Sequence, residues 1–376
     1  MTDLPPQHEP TNRPRASWRM KLLAMTLSTV LALVAAEFIF GVARSWAFDY
    51  LNIYEADATY GVRLAPDAST RTRSWDGTLT DIRTNQLGFR GADWPAPSPL
   101  NAGGILLVGD SQAFGYGVPE ADALSARLAA HLKTADNAPT VLNAATPTWG
   151  PHEYALAAAE LAPVYAPSWV VIVANVANDW DEAPQPNNRR VTARDGWAAA
   201  YEAGAEPPTA FPARRWLLGE SHLVYAVRSL LRDEYSGGMP AVSVDRLMQQ
   251  LPQLRRPDGP HGSKLTRHLV ATQKTCAALA NPCRVAVAIL PMDVQVDATA
   301  FEKYDKPRRP LGQLDVLSQA LIDDARRVGV VPIDLAPALS AASPGAFLTD
   351  DYHLSPTGHD VVATTIAQAI LRRAHP

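Results

Sequence analysis

Gly109-Asp110-Ser111-Gln112 follows directly on a short apolar run, Gly104–Val108 (GILLV). A serine hydroxyl is a weak nucleophile until a base takes its proton, and a histidine base in turn needs a carboxylate to orient it. Both partners are available near the far end of the chain, in Asp350-Asp351-Tyr352-His353-Leu354-Ser355-Pro356, where Asp350 stands three residues before His353. Two asparagine-led segments lie between. Asn143-Ala144-Ala145-Thr146-Pro147-Thr148-Trp149-Gly150 follows a second apolar run, and Asn178-Asp179 follows a third. An asparagine amide at the end of a strand can donate to a developing oxyanion, and the N–H groups opening a helix after Ser111 would add to it. Each segment also has a plainer reading: Ser111 as a helix cap, Ser355-Pro356 as a helix start, the asparagines as turn residues.

Chemistry of this kind needs elements that bring the segments to one place. Apolar runs without polar alternation occur at Gly104–Val108, Thr140–Leu142, Trp169–Ala174, Arg284–Leu290 and Val330–Ile333. Such runs suit strands buried on both faces. Segments of helical spacing near 121–134, 151–164, 264–281, 311–328 and 356–373 alternate with them. The alternation predicts an α/β fold, a doubly wound (flavodoxin-like) parallel five-stranded sheet flanked by helices, with ligands beyond the carboxyl ends of its strands. The polar segments follow strands one, two and three and precede the last helix, so all converge on that edge. Residues 181–263 interrupt the rhythm with a Pro- and Arg-rich insertion. It contains one amphipathic stretch, Arg215–Arg232, read either as a helix on the flank of the domain or as a membrane-facing cap.

In block order the sequence resembles the SGNH (GDSL-like) hydrolase family over roughly residues 104–373, in its membrane-anchored bacterial form. The resemblance implies Ser111 as nucleophile, His353 as base and Asp350 as its orienter. It implies Asn178 and the N–H of Ser111 as oxyanion donors, joined by the N–H of Thr148. Two departures stand out: Thr148 replaces the usual glycine five residues after Asn143, with Gly150 as a substitute donor, and Val176 replaces the glycine of Gly-x-Asn-Asp. The upstream stretch Thr84–Gly91 is also similar to a segment of membrane-anchored members; physically it is a turn with one buried aromatic, in which Arg90 makes a salt bridge or an anion contact. No G-x-S-x-G elbow surrounds Ser111, so an α/β-hydrolase is excluded.

Leu22–Ala43 is a 22-residue apolar stretch with a single charge, Glu37. At 1.5 Å per residue it spans a hydrocarbon core of ~30 Å. Arg13, Arg15, Arg19 and Lys21 precede it. The positive-inside rule therefore leaves residues 1–21 in the cytoplasm and the body outside. The expected arrangement is a single-pass signal anchor in a bacterial inner membrane, then an extracytoplasmic spacer and approach segment (44–103) and a periplasmic or otherwise extracytoplasmic domain (104–376). A cleaved signal peptide would have a shorter apolar region.

The 376 residues carry a net charge of −4, negative once the basic tail is set aside, which argues against nucleic acid as a partner. Two cysteines rule out a disulfide scaffold and a Cys-rich zinc site. In an oxidising compartment Cys276 and Cys283 are open to pairing, with two separate buried thiols as the alternative. No histidine spacing suggests a metal, and no cofactor is called for. His152 reads as a surface helix start or a site-rim residue, and His359 as part of the last helix's first turn. The expected function is a serine esterase that removes acyl, above all acetyl, groups from carbohydrate or lipid esters. The alternatives are an O-acyltransferase of envelope polysaccharide, which the resemblance allows, and an inactive glycan-binding domain.

Overall fold

A computed structural model describes residues 17–374, apart from 75–76, 98–102, 134–138, 204–211, 232–261, 305–314 and 350. The chain opens with a helix, α1 (Trp18–Ala43), 26 residues long and apolar enough to cross a membrane. The cytoplasmic tail expected over residues 1–21 lies outside the described residues up to 16.

Two antiparallel hairpins follow, β1 (Tyr54–Asp57) with β2 (Gly61–Leu64) and β3 (Ser69–Arg73) with β4 (Leu79–Arg83). The central domain then runs β5 (Ile105–Val108), α2 (Ser111–Phe114), α3 (Leu124–Leu132), β6 (Val141–Asn143), α4 (Pro151–Tyr165), β7 (Trp169–Asn175) and α5 (Asp179–Glu182). The insertion adds a hairpin, β8 (Val191–Arg194) with β9 (Trp197–Ala200), then α6 (Pro212–Arg215) and α7 (His222–Leu231). The expected helix 215–232 is broken by a π-helical turn at Trp216–Glu220, and Ser221 leaves it in extended conformation before α7. The chain closes with α8 (Gly262–Ala277), β10 (Arg284–Leu290), α9 (Asp293–Val296), α10 (Asp315–Arg327), β11 (Val331–Asp334), α11 (Ala336–Ala341) and α12 (Pro356–Ala374).

Strands β11-β10-β7-β5-β6 form one five-stranded sheet, parallel throughout. Every residue of β5 and β7 is buried, as the unbroken apolar runs require. One face packs under α4, α8 and α10 with Leu161, Leu269 and Leu321; the other packs under α3 and α12 with Leu128, Val362 and Ile366. The register pairs Leu107 with Asn143 and Leu290 with Asn175, so the polar segments after β5, β6 and β7 leave the sheet at one edge. Helix α8 ends in a disulfide between Cys276 and Cys283, Cα atoms 4.7 Å apart.

The approach segment belongs to the same body. Ile53, Val62, Leu64 and Ile82 join the core beneath α3 and α12, while Tyr60, Phe89 and Trp94 join the opposite one. The sequence reading of 44–103 as a spacer understated this, because its apolar residues are spread among turns.

Candidate active site

Gly109 ends β5 so close to α2 and β7 that a Cβ there would meet the Ala113 Cβ at 2.6 Å. This allows a tight strand-to-helix turn. Asp110 caps α2 by accepting from the Gln112 N–H at 2.9 Å, and Ser111 is left as the first helical residue. The buried Ser111 Oγ lies 2.8 Å from His353 Nε2. His353 Nδ1 lies 2.9 Å from Asp351 Oδ2. With Nδ1 donating to the carboxylate, Nε2 presents its lone pair to the serine hydroxyl, as proton abstraction requires.

The orienting carboxylate is thus Asp351, where the resemblance pointed to Asp350; Asp350 itself lies outside the described residues. The reason is local. The segment doubles back, with Leu348 N–H donating to the His353 carbonyl at 2.8 Å. That turn carries the carboxylate of Asp351 beneath the ring of a residue only two positions on. Burial would push the Asp351 carboxyl up, but the neighbouring His353 charge, the hydrogen bond from its ring and the backbone N–H donors of Tyr352 and His353 outweigh it and hold the group below its ordinary value.

Several residues unremarked in the sequence hold this loop. Gln112 Oε1 accepts from Leu354 N–H at 3.0 Å and its Nε2 donates to the Tyr352 carbonyl at 3.1 Å. Lys303 Nζ donates to the carbonyls of Leu348 and Asp351 at 2.6 and 3.1 Å and to Asp293 Oδ2 at 3.3 Å. Tyr352 stacks on His353 at 4.4 Å, and Tyr116 lies at 4.9 Å on a tilted ring. Among the described residues Arg90 makes neither a salt bridge nor an anion contact. Its buried guanidinium donates to the carbonyls of Phe114, Gly115 and Val118, just past the nucleophile's helix, and burial lowers its pKa to about 10.

At the oxyanion side, Thr148 takes φ 79°, the left-handed backbone that its family counterpart glycine adopts without strain. Neighbours hold it there: Arg190 and Asn187 donate to its carbonyl and hydroxyl, both at 3.4 Å. Trp149 Nε1 donates to the Val62 carbonyl at 2.8 Å, so the approach segment braces the same loop. The Gly150 N–H, the alternative donor, is given to Glu153 Oε2 at 3.2 Å. Asn143 is a turn residue, its Oδ1 accepting from Ala145 N–H at 3.2 Å and its Nδ2 reaching Ala113 and Ser125.

Asn178 Nδ2 is engaged twice, donating to Asp110 Oδ2 at 3.3 Å and to Glu182 Oε2 at 3.0 Å. Glu182 also pairs with Arg190 at 2.7 Å. Burial, only partly offset by Arg190, raises its pKa to about 8, and burial likewise raises Asp110 and Asp179. Asp179 Oδ1 and Oδ2 accept from Tyr154 Oη and Asn175 N–H at 3.0 and 2.8 Å. His152 lies 5.4 Å from His268 on α8, at the start of α4, and His359 is fully buried in the first turn of α12. Among the described residues no cluster of His, Cys, Asp and Glu could hold a metal.

Residues 257–376 match the family model described as "SGNH hydrolase-like domain, acetyltransferase AlgX". No curated protein matches the chain. Among solved structures it is similar to a member of the lipolytic protein G-D-S-L family from Veillonella parvula DSM 2008, at 12% identity and a TM-score of 0.39 over 72% of this chain and 100% of that one. It is also similar to the lipase/acylhydrolase from Enterococcus faecalis, at 15% identity and a TM-score of 0.37 over 72% and 96%. The matched segment supplies Asp351 and His353 and begins well after Ser111, which the sheet brings to them across the fold. The match over residues 257–376 supports an SGNH-like family for that part of the chain.

Proposed function

We propose that the chain is a membrane-anchored, extracytoplasmic serine esterase acting on O-acyl, above all O-acetyl, groups of carbohydrate or lipid esters. The observation that carries it is the Ser111–His353–Asp351 relay. His353 Nε2 takes the Ser111 proton as Oγ attacks the ester carbonyl, and Asp351 steadies the resulting imidazolium. The oxyanion is met by the N–H groups of Ser111 and Thr148 and by Asn178 Nδ2, which releases Glu182 to reach it. His353 then returns the proton to the leaving alcohol. Water, activated by the same histidine, frees the acyl group from Ser111. Helix α1 spans the membrane with Arg19 and Lys21 of its first turn, and Arg13 and Arg15 before it, on the cytoplasmic side, and the Cys276–Cys283 bond suits the oxidising side on which the domain then lies.

A second reading is favoured by the family match, whose description names an acetyltransferase. The same acyl-enzyme passes its acetyl group to a sugar hydroxyl of an exported polysaccharide in place of water. Incubating the full chain with an acetylated glycan and an unacetylated acceptor separates the two: esterase activity releases acetate to solution, transfer places it on the acceptor. A fluorophosphonate probe tests both. Wild type labels and Ser111→Ala does not; equal labelling, or none of wild type, rules out the nucleophile and leaves a glycan-binding domain.

A further inference from the structure

Glu37 sits within the apolar helix α1, yet its carboxylate is not left to lipid. It accepts from Ser221 Oγ at 2.6 Å and from the N–H groups of His222 and Leu223 at 2.7 and 3.0 Å. These are the groups that open α7, so the membrane helix caps a helix of the insertion from the side. The joint is fixed from above as well. Trp46 turns back onto Gly41, where a Cβ would meet its ring at 2.4 Å, and it contacts the rings of Phe38 and His222 at 5.9 and 5.2 Å. Arg44 pairs with Asp49 at 2.7 Å, and Asp49 accepts from Tyr225 Oη on α7 at 2.8 Å.

This joint sets a height. Counted from Leu22, a hydrocarbon span of ~20 residues ends near Gly41, which puts Glu37 roughly 6 Å inside the outer boundary at 1.5 Å per residue. Helix α7 therefore begins below the headgroups. Its sequence fits that depth. Tyr225 and Ala226 face the protein, whereas Leu223, Val227 and Leu230 recur at i, i+4 and i+7 on the other side, with Leu230 82% exposed. Trp216 and Leu217, in the turn before α7, are 53% and 45% exposed. A helix packed on the protein by one side and carrying such a stripe on the other, held ~5–10 Å into the interface, matches the depth of a helix lying in the membrane surface.

We infer that α7 and the Trp216–Glu220 turn dock on the outer lipid surface of the bilayer that α1 crosses, so that the domain is seated on the membrane at fixed height rather than tethered above it. This rests on α1 spanning the membrane, and the test keeps the two apart. The native cysteines are bonded to each other, so an introduced cysteine is the sole free thiol. The full chain in lipid nanodiscs carries one spin label at a time, at Leu31→Cys in α1, at Val227→Cys or Leu230→Cys in α7, or at the exposed Glu202→Cys as an aqueous reference. Accessibility to oxygen is compared with accessibility to a water-soluble nickel chelate. The expected result is oxygen-dominated relaxation at 31, 227 and 230 and chelate-dominated relaxation at 202. Lipid-like behaviour at 31 with chelate-accessible labels at 227 and 230 overturns the docking alone, as does protection of 227 and 230 from both reagents. Chelate access at 31 overturns the spanning helix and the docking with it.

Discussion

The side-chain amide of Gln112 grips the main chain on either side of His353, accepting from Leu354 and donating to Tyr352. The residue after Ser111 thus holds the segment that carries His353, and the two side chains meet although 242 residues separate them. A misplacement of about 1 Å in such a pair costs up to ~10²-fold in rate. Gln112→Ala is expected to lower kcat on p-nitrophenyl acetate by about 10–100-fold with little change in KM, and to slow fluorophosphonate labelling in proportion. An unchanged labelling rate would show that the grip is dispensable.

Asp351 and Asp350 are separated by mutation. Asp351→Asn removes the carboxylate that fixes the His353 tautomer and is expected to cost about 10³–10⁴-fold in kcat. Asp350→Asn is expected to stay within about threefold of wild type, a difference of less than 1 kcal/mol. Steady-state kinetics of the pair decide between the assignments.

Glu182 competes for the amide that an oxyanion would use, since Asn178 Nδ2 already donates to its Oε2. With its pKa raised to about 8, the group becomes a full carboxylate, and a stronger competitor, as pH rises through that value. Activity of the wild type is expected to decline above pH 8, and Glu182→Gln, which stays neutral, is expected to flatten that limb. Asn178→Ala should cost about 10²–10³-fold at every pH. A pH profile unaltered by Glu182→Gln would remove the competition from the account.

The same raised pKa has a stability consequence. Between the ordinary value of 4.5 and about 8 the folded chain retains a proton that the unfolded chain has released. Stability therefore falls as pH rises through that window and levels off above it. The buried Asp110 and Asp179 are shifted in the same sense, whereas Asp351, shifted down, loses its contribution only as pH falls into the acid range. Thermal unfolding of the detergent-solubilised chain is expected to show a lower midpoint at pH 8.5 than at pH 6, with a smaller gap in Glu182→Gln. A wild-type midpoint that rises over this range would contradict the assignment.

Arg90 holds the buried main-chain carbonyls of Phe114, Gly115 and Val118, of which Gly115 also accepts from the Val118 N–H. Arg90→Ala is expected to destabilise the domain by about 3 kcal/mol, read from denaturant midpoints, because each orphaned acceptor bears its desolvation cost. Arg90→Lys should recover little, since one ammonium cannot reproduce the planar fork.

The sheet was legible because strands such as Trp169–Ala174 are apolar at every position, and only a strand covered on both faces needs that. The meeting of Ser111 with His353 was legible because one segment follows β5 and the other precedes α12 at one edge of the sheet. Asp351 was missed because spacing along the chain cannot say which of two adjacent carboxylates a turn will tuck under a ring. Gln112 and Lys303 were missed, and Arg90 was expected to meet a charge, for another reason: most of their partners are backbone groups, which carry no signature in a sequence. The bracing of Trp149 by Val62 lies 87 residues apart in the chain and leaves no local pattern either.

The early hairpins impose an order on biogenesis. Asn52, just beyond α1, donates to the carbonyl of Gly219, 167 residues later, and Tyr54 N–H donates to the Gly196 carbonyl. At 5–20 residues per second, the residues that pair with Asn52 are made ~10–30 s after it. The segment after α1 thus finds some partners early, such as the Thr70 hydroxyl that donates to Asn52 Oδ1, and others only once the insertion is made. Ile53, Tyr54, Val62 and Leu64 wait longer still, since the core they join is completed only by Val362 and Ile366 of α12, at the far end of the chain.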